Sequence, residues 1–227
     1  MYLLLKRLID LLIAGITFIL MLPIFLPILV ALKLTDEGEA FYFQKRIGYK
    51  KKYFDIWKFA TMLKNSPSIG SGSITLRNDP RVTKVGKYLR ITKLNEFPQI
   101  INVLKGDMSI VGPRPLVDKT FTAYTPEVQE RVYNSKPGIT GIGSIIFRDE
   151  ERLISNSDME PHAYYGKYIA PYKGALEMWY QENKSTMTDL LLIFLTAWVI
   201  IFSKSDLPYK IFSDLPPRPT ALTIAQK

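Results

Sequence analysis

Residues 11–32 read LLIAGITFILMLPIFLPILVAL, an apolar run in which Thr17 carries the one polar side chain. A helix needs about 20 such residues to reach across the hydrocarbon core of a bilayer. A cleaved signal peptide has a shorter apolar region followed by small residues, whereas this run is long and Lys33 follows it. A buried helix of a soluble protein is the remaining alternative. We expect this segment to insert into a membrane.

Two prolines, Pro23 and Pro27, lie in the second half of the run, where each removes a backbone donor and crowds the preceding turn. We therefore expect a bend there. Basic residues flank both ends, with Lys6 before the run and the Lys50–Lys52 triplet after it. Anionic cytoplasmic headgroups attract such clusters, and a straight crossing would leave one of them on the opposite side. The pattern favours a re-entrant helix over a straight crossing.

The composition limits the chemistry that this chain can perform. Its 227 residues are 47% apolar and 22% charged, which is enough for a domain with a core and excludes a disordered chain. The absence of cysteine and the single histidine exclude disulfide scaffolds, thiolate metal sites and most histidine-based catalysis. The net charge of +9 indicates a polyanionic partner: nucleic acid, anionic lipid or a phosphate-bearing small molecule.

The rest of the chain divides into three parts. Residues 35–185 read as one cytosolic domain of catalytic type. Its predicted elements are strands at 41–46 and 53–59 and helices at 96–104, 126–134 and 163–182. Residues 186–206 hold a short apolar stretch that is typical of an interfacial helix, with a core helix as the alternative. Residues 207–227 are rich in proline and are predicted to form an extended tail.

These parts predict a mostly α-helical, α+β protein that is monotopic in the membrane. Residues 1–34 form its re-entrant, proline-bent helix, and amphipathic helices hold the small cytosolic domain at the interface.

Cations are concentrated between Arg77 and Lys105, where seven lysines and arginines accompany two acids, Asp79 and Glu96. This stretch is typical of a phosphate-binding surface, and a basic face attracted only to lipid headgroups is the alternative. Arg114 is a sharper candidate, because it lies between two prolines and a guanidinium can hold a phosphate through two parallel hydrogen bonds. Known nucleic-acid and P-loop signatures are missing, so we expect no nucleic acid partner.

Several short motifs follow one another in order along the chain. They are Lys6-Arg7, Gln44-Lys45-Arg46-Ile47-Gly48, Lys58-Phe59, Asp79-Pro80-Arg81, Glu96-Phe97-Pro98-Gln99, Asn102-Val103-Leu104-Lys105-Gly106-Asp107, Pro113-Arg114-Pro115 and Lys136-Pro137-Gly138-Ile139-Thr140-Gly141. In these residues and their order, the chain resembles the bacterial sugar transferases, monotopic phosphoglycosyl transferases that start glycan assembly on polyprenol phosphate. The resemblance covers nearly the whole chain.

The resemblance implies transfer of a phosphosugar from a UDP-sugar to polyprenol (undecaprenyl) phosphate, with release of UMP. Such a step initiates exopolysaccharide, O-antigen or glycoprotein assembly. The resemblance also implies Mg²⁺ as the cofactor, with Glu96 as a metal ligand and Arg114 as the arginine that holds a phosphate. It implies the cytoplasmic face of a bacterial inner membrane, where an anionic lipid bilayer is a further partner. The oligomeric state stays open, with a homodimer as one alternative.

The candidate substrate-binding residues are the basic and proline positions of these motifs and nearby arginines: Lys58, Arg81, Arg90, Pro113, Arg114, Pro115 and Arg148. The candidate catalytic residues are Asn95, Glu96 and Asp149. Asn95 departs from the family, because it occupies the position of an aspartate that forms a covalent phosphosugar intermediate. A carboxamide is a much weaker nucleophile than a carboxylate. Two smaller departures are Ala60, where an arginine is usual, and Leu22, where a serine is common.

Three hypotheses follow from Asn95. In the first, the phosphosugar transfer is retained, and either another carboxylate (Asp149 or Glu150) or the acceptor phosphate itself attacks the donor. In the second, the scaffold performs related transferase chemistry on a lipid-linked or nucleotide-linked sugar, and Asn95 binds substrate. In the third, the protein is a non-catalytic, membrane-bound variant that only binds its substrate.

Overall fold

The structure is a computed structural model that describes residues 1–34, 38–66, 79–203, 205–220 and 222. Its helices are α1 (Tyr2–Leu34), α2 (Lys84–Ile91), α3 (Gln99–Lys105), α4 (Asp118–Phe121), α5 (Pro126–Arg131), α6 (Ile142–Ile146), α7 (Glu150–Ser155), α8 (Pro161–Tyr164), α9 (Ala170–Asn183), α10 (Thr186–Ile201) and α11 (Leu207–Ile211). Its strands are β1 (Phe41–Ile47), β2 (Tyr53–Phe59), β3 (Ser109–Val111) and β4 (Gly138–Thr140). The described chain is thus mostly helical with two small sheets, as predicted, whereas Arg77 of the basic stretch lies outside the described residues.

Helix α1 contains the apolar run with which the sequence analysis began. Within the described residues, α1 is the one helix long and apolar enough to cross a membrane, with a mean hydropathy of 2.6 in its most apolar stretch. It is helical from end to end, with Pro23 and Pro27 inside it. The bend expected at these prolines stays a prediction.

One side of α1 packs on the rest of the protein near both of its ends. Near the N-terminus, Arg7 donates hydrogen bonds to the carbonyl oxygens of Val103 (2.7 Å) and Leu104 (3.0 Å), in the last turn of α3. Near the C-terminus, the ring of Phe25 lies 5.0 Å from that of Phe59 in β2. The outward faces of α1 remain apolar and exposed.

The first sheet is the antiparallel hairpin of β1 and β2, in which Phe41 pairs with Phe59 and Ile47 with Tyr53. Both predicted strands are therefore confirmed. The side chain of Asn102, in α3, joins the hairpin to the core: its oxygen accepts from the Trp57 amide (3.0 Å) and its nitrogen donates to the Asp55 carbonyl (2.9 Å). Asn102 is fully buried and thereby satisfies two backbone groups at the inner edge of β2.

The second sheet is the parallel pair of β3 and β4, which lies beneath the Pro-Arg-Pro segment. The backbones cross so closely at Gly112 that a Cβ atom there would lie 2.3 Å from the carbonyl oxygen of Lys136. Only glycine fits at this position. The close crossing holds the loop that follows β3 directly against β4.

Two of the three predicted helices are divided in the structure, and the third, predicted at 126–134, is α5 and ends at Arg131. The helix predicted at 96–104 divides into a 3₁₀ turn, Leu94–Glu96, and α3, because Pro98 lacks an amide donor and begins the new helix. The helix predicted at 163–182 divides into α8, a π-helical turn at Tyr165–Ile169 and α9. A π-turn adds a residue per turn and shifts which side chains face inward.

The C-terminal region is more ordered than the extended tail predicted for residues 207–227. Residues Leu207–Ile211 form α11, and Phe212, Leu215 and Leu222 are each less than a tenth exposed. The indole nitrogen of Trp179 donates to Asp214 (2.7 Å), which fixes the segment on α9. Burial of these apolar side chains stabilises the segment on the domain, and the proline pattern alone did not indicate that burial. Residues 223–227 of the tail lie outside the described residues.

Candidate active site

A cavity of about 730 Å³ lies between the hairpin and the helices that follow β4. This volume falls in the range of roughly 300–1,000 Å³ that ligand sites occupy. One end, which we call the cationic end, is formed by Lys58, Arg90, Glu96 and Arg114. A second group of lining residues, which we call the acidic end, contains Glu150 and Lys173, and the buried Glu177 lies near both Lys173 and Arg114.

The cationic end is organised around one carboxylate. Oε1 of Glu96 accepts a hydrogen bond from Nη2 of Arg114 (2.9 Å) and another from Nζ of Lys58 (3.2 Å). Burial acts to raise the pKa of Glu96, but Arg114, Lys58 and Lys93 outweigh burial and hold that pKa well below its usual range. Glu96 is therefore a carboxylate at neutral pH, and it fixes the direction of both cations.

Arg114 is held from behind by its own loop. Its carbonyl oxygen accepts a hydrogen bond from the hydroxyl of Tyr133 (2.9 Å), and that hydroxyl accepts one from the amide of Leu116 (2.9 Å). On the other side, Nη1 of Arg46 donates to the carbonyl oxygen of Pro115 (3.1 Å). Together these bonds fix the backbone of Arg114, so that its guanidinium needs little reorganisation to bind an anion.

The cations of this end repel one another and lie in a poorly hydrated place. Burial lowers the pKa of Lys58 to about 8, although Glu96 acts in the opposite direction. Burial also lowers the pKa of Arg46 to about 10, and the charge of Arg114 adds to this effect. Burial likewise lowers the pKa of Arg90. Such a concentration of partly buried cations would be stabilised by a bound polyanion.

Asn95 lies beside this cluster, in the 3₁₀ turn that also carries Glu96. Its side chain is 7% exposed and lines the cavity, and its Oδ1 atom has no hydrogen-bond partner within the described residues. A buried amide oxygen without a partner is unfavourable, so this atom is available to a ligand, a cation or water.

The acidic end has the opposite arrangement, with one cation between two carboxylates. Nζ of Lys173 is bonded to Oε2 of Glu150 and packs over the rings of Phe147 and Tyr165. Glu177 is 1% exposed, and neither of its oxygens has a hydrogen-bond partner among the residues described. Burial raises the pKa of Glu177 to about 7, against the smaller opposing effects of Lys173 and Arg114.

The structure brings together most of the site residues that the sequence predicted. The side chains of Lys58, Arg90, Asn95, Glu96, Arg114 and Arg148 all line the cavity. Pro113 and Pro115 do not line it, and they flank Arg114 within the braced loop.

Two predicted residues lie elsewhere. Arg81 is 2% exposed and forms a two-pronged ion pair with Asp79, while its Nη1 donates to the carbonyl of Ser66 (2.9 Å). We therefore assign Arg81 to holding its loop rather than to contacting substrate. Asp149 precedes α7, is exposed and does not line the cavity, whereas its neighbour Glu150 does. A reaction at Asp149 stays a prediction.

Sequence reasoning did not select Arg46, Lys173 or Glu177 as site residues. Arg46 could have been found, because it belongs to one of the ordered motifs. Lys173 and Glu177 are separated by four residues, which places them on one face of a helix, but the same spacing is typical of an exposed ion pair. Burial distinguishes the two cases, and burial is visible only in the structure.

Few oxygen donors are present where the magnesium ion is expected, at the cationic end. Groups of three or more histidine, aspartate or glutamate side chains that could hold a metal are absent from the described residues. However, Mg²⁺ is commonly held by one or two protein oxygens together with substrate phosphates and water. Glu96 and the unpartnered Oδ1 of Asn95 are adjacent hard oxygen donors that fit this pattern.

Comparison with known proteins places the chain in a family. Residues 1–203 match the model of the family described as bacterial sugar transferase. The chain is 36% identical over 205 residues to UDP-glucose:undecaprenyl-phosphate glucose-1-phosphate transferase of Klebsiella pneumoniae, covering 88% of this chain and 41% of that relative. It is 32% identical over 215 residues to exopolysaccharide production protein ExoY of Sinorhizobium fredii, and the match covers 88% of this chain and 87% of that relative.

A third relative is similar over a shorter stretch. The undecaprenyl-phosphate galactose phosphotransferase of Salmonella typhimurium is 33% identical over 180 residues, which cover 73% of this chain and 34% of that protein. The chain thus spans nearly all of ExoY but well under half of the Klebsiella and Salmonella relatives. On the family match and these identities, the chain belongs to the bacterial sugar transferases, a family of transferase enzymes.

Proposed function

We propose that this protein transfers a phosphosugar from a UDP-sugar to polyprenol phosphate and thereby initiates assembly of a bacterial glycan. The observation that carries the proposal is the bonding of Arg114 and Lys58 to one oxygen of Glu96, inside a cavity large enough for a nucleotide sugar. Names of relatives support it, since several are transferases that act on undecaprenyl phosphate.

In the proposed reaction, an oxygen of the acceptor phosphate attacks the phosphorus bonded to the sugar. The bond between this phosphorus and the bridging oxygen breaks, and UMP leaves with the bonding electron pair. The products are UMP and a polyprenol diphosphosugar. Arg114 and Lys58 neutralise the phosphate oxygens, and Glu96 keeps both cations in place, so that catalysis comes mainly from positioning and charge neutralisation.

We also propose that Mg²⁺ binds at this end, held by Glu96 and the Asn95 side-chain oxygen together with donor phosphates. The ion would supply charge neutralisation of the diphosphate and of the leaving UMP. This chain's own contribution is to present two neighbouring oxygen donors at the edge of the arginine and lysine cluster.

The proposed location is the cytoplasmic face of the inner membrane, with α1 re-entrant in an anionic bilayer. Both ends of α1 support this, because Arg7 binds α3 and Phe25 packs on β2 of the same domain. A crossing helix would separate these two contacts. The outward side chains, such as Leu12 (63% exposed) and Ile19 (66%), are suited to lipid tails, and those of α10 are similar. A homodimer stays a prediction.

Asn95 leaves the mechanism with two routes, of which we propose direct attack by the acceptor phosphate. Asn95 cannot form the acyl-phosphate bond that an aspartate would form, and the carboxylate of Glu150 is already bonded to Lys173. Direct attack requires donor and acceptor to be bound at the same time. The second route, with Glu150 or Asp149 as nucleophile, would pass through a phosphosugar-labelled protein.

The test measures UMP release in detergent micelles with a panel of UDP-sugars, with and without polyprenol phosphate. We expect acceptor-dependent UMP release, intersecting initial-velocity lines and no labelled protein when acceptor is omitted. Parallel lines and a label that Glu150→Gln or Asp149→Asn abolishes would contradict direct attack. If no UDP-sugar yields UMP but another product forms, the related-chemistry hypothesis replaces this proposal.

The variant Asn95→Asp separates catalysis from simple binding. If the natural protein releases no UMP with any donor while Asn95→Asp does so rapidly, the chain is a substrate-binding variant of the family. The matched control is Asn134→Asp, the same change at an exposed position that does not line the cavity, which we expect to alter nothing.

A further inference from the structure

One wall of the cavity carries polar groups that nothing in the protein satisfies. Oγ of Ser144 and Nη1 of Arg148 are buried, and neither has a hydrogen-bond partner within the part of the chain that the structure describes. Both residues line the cavity. Buried polar groups in native proteins are nearly always bonded, so two neighbouring exceptions on a cavity wall indicate a polar ligand or bound water.

Glu150 belongs to the same wall and is held in place. Its Oε2 is bonded to Lys173, whose side chain is 3% exposed and packs over the rings of Phe147 and Tyr165. The Glu150 side chain is itself 26% exposed and faces the cavity. Lys173 therefore fixes the direction of Glu150 from the protein side and leaves part of the carboxylate available to a ligand.

The chemistry of this wall favours a neutral ring with hydroxyl groups over a phosphate or a nucleobase. A phosphate is attracted more strongly to Arg114, Lys58 and Arg90 at the cationic end than to this wall, where the carboxylate of Glu150 accompanies Arg148. A flat base would need an exposed aromatic face for stacking, but the nearby rings of Phe147 and Tyr165 are only 5% and 2% exposed. A ring bearing several hydroxyl groups needs no stacking surface and can donate to a carboxylate and accept from a guanidinium.

Given the proposed function, we infer that Ser144, Arg148 and Glu150 form the subsite for the transferred sugar and determine which sugar is accepted. Glu150 accepts hydrogen bonds from the hydroxyl groups of a neutral sugar ring, Arg148 donates to ring substituents, and Ser144 does either. Lys173 is a positioning residue, because it acts on the sugar only through Glu150. The UMP portion of the donor lies outside this wall.

The test compares a ligand that carries the sugar with one that lacks it. In Glu150→Gln and Ser144→Ala, we expect the KM of the preferred UDP-sugar to rise roughly 10- to 100-fold for the first and less for the second. Inhibition by UMP should change less than twofold in both. Glu150→Gln should also reduce the discrimination between UDP-sugars that differ at one hydroxyl. The matched control is Glu130→Gln, an exposed carboxylate on α5, which should leave every constant unchanged.

A second measurement does not depend on turnover. Thermal shifts of the detergent-solubilised protein are recorded with UDP and with UDP-sugar, and the extra stabilisation by the sugar should be lost in Glu150→Gln. If the variant binds UMP and UDP-sugar more weakly by the same factor, the wall holds the nucleotide and the inference is overturned. If the binding of neither ligand is weakened, the inference is also overturned. If the natural protein binds UDP-sugar but releases no UMP, the proposed function fails while the subsite is still judged by these shifts.

Discussion

The two ends of the cavity are built from the same kinds of side chain in opposite proportions. At the cationic end, one carboxylate, Glu96, is bonded to two cations, Arg114 and Lys58. At the acidic end, one cation, Lys173, is bonded to Glu150 and lies near Glu177. One end thus offers a ligand net positive charge, whereas at the other end Lys173 balances the charge of Glu150. A ligand that fills both ends has an anionic part and a neutral, hydrogen-bonding part, as a nucleotide sugar does.

The difference also shows what burial does to a carboxylate. Burial favours the neutral form of both Glu96 and Glu177, yet the pKa of Glu96 is well below its usual range and that of Glu177 is raised to about 7. Glu96 has three cations nearby and two charged hydrogen bonds, whereas Glu177 has two cations nearby, Lys173 and Arg114, and no side-chain hydrogen bond to either. The number of cationic partners, rather than burial, decides the charge at each end.

Removing the central cation of the cationic end should have the largest effect. We expect Arg114→Ala to lower kcat/KM for UDP-sugar on the order of 1,000-fold, because a phosphate contact is lost and Glu96 is left with a single bonded cation. Arg114→Lys should lose less, on the order of 100-fold, since an ammonium keeps the charge but not the fork. Initial rates of UMP release measure kcat/KM for both variants.

The control for this change is Arg131→Ala, which removes an exposed arginine that pairs with Glu127 and Glu182. The kcat/KM of this variant should stay within about twofold of the natural protein's value, because surface ion pairs contribute little. Retention of more than a third of natural activity by Arg114→Ala would show that the cationic end does not stabilise the reacting phosphates.

At the acidic end, the corresponding change is Glu177→Gln, and its effect should appear in stability. The folded protein holds a proton on Glu177 up to about pH 7, whereas an unfolded chain releases it near pH 4.5. The stabilisation from this proton is therefore complete below pH 4.5 and is lost as the pH rises to 7 and beyond. Over that window, the free energy of unfolding should fall by roughly 3 kcal/mol from this group alone.

Urea unfolding in detergent at pH 5, 6, 7 and 8 measures this dependence. Glu177→Gln cannot titrate, so the difference in free energy of unfolding between natural protein and variant should change by that amount across the series. Glu127→Gln, whose side chain is 75% exposed, should follow the natural protein at every pH. A constant difference for Glu177→Gln would mean that Glu177 is ionised throughout.

The cationic end could be predicted from the sequence because its residues belong to short local motifs. Glu96 and Arg114 belong to the motifs Glu96-Phe97-Pro98-Gln99 and Pro113-Arg114-Pro115, and their side chains form an ion pair in the structure. The two aromatic-rich strands of the hairpin, one of which carries Lys58, were also predicted, because aromatic side chains are enriched in strands. Short sequence motifs were therefore sufficient to predict the side chains of the cationic end.

The acidic end could not be predicted in the same way. Its ion pair joins Glu150 to Lys173 across α7, α8 and a π-helical turn, and no motif relates the two positions. The π-turn also shifts the helical phase, so that a regular helix drawn through residues 163–182 misplaces the inward face. Sequence reasoning accordingly favoured Asp149, one residue from the carboxylate that lines the cavity. Contacts of this range depend on tertiary packing.

A change at Lys58, the second cation bonded to Glu96, should have a smaller effect than those at Arg114 and Glu177. Burial lowers the pKa of Lys58 to about 8, so it loses its proton as the pH rises through 8 and the cationic end loses one charge. We expect kcat/KM for UDP-sugar to fall on this alkaline side by up to about tenfold, since kcat/KM reports ionisation in the free enzyme. Lys58→Arg keeps its charge at these pH values and should lack the decline.

The pH profile of UMP release between pH 6.5 and 9.5 measures this effect, with Lys51→Arg, an exposed residue paired with Glu130, as the matched control. The control should retain the decline, because its lysine is not in the cavity. If Lys58→Arg declines like the natural protein, another group near the cavity titrates at pH 8. In that case the charge of Lys58 would be as constant as that of Arg114, and the cationic end would keep its full charge across this range.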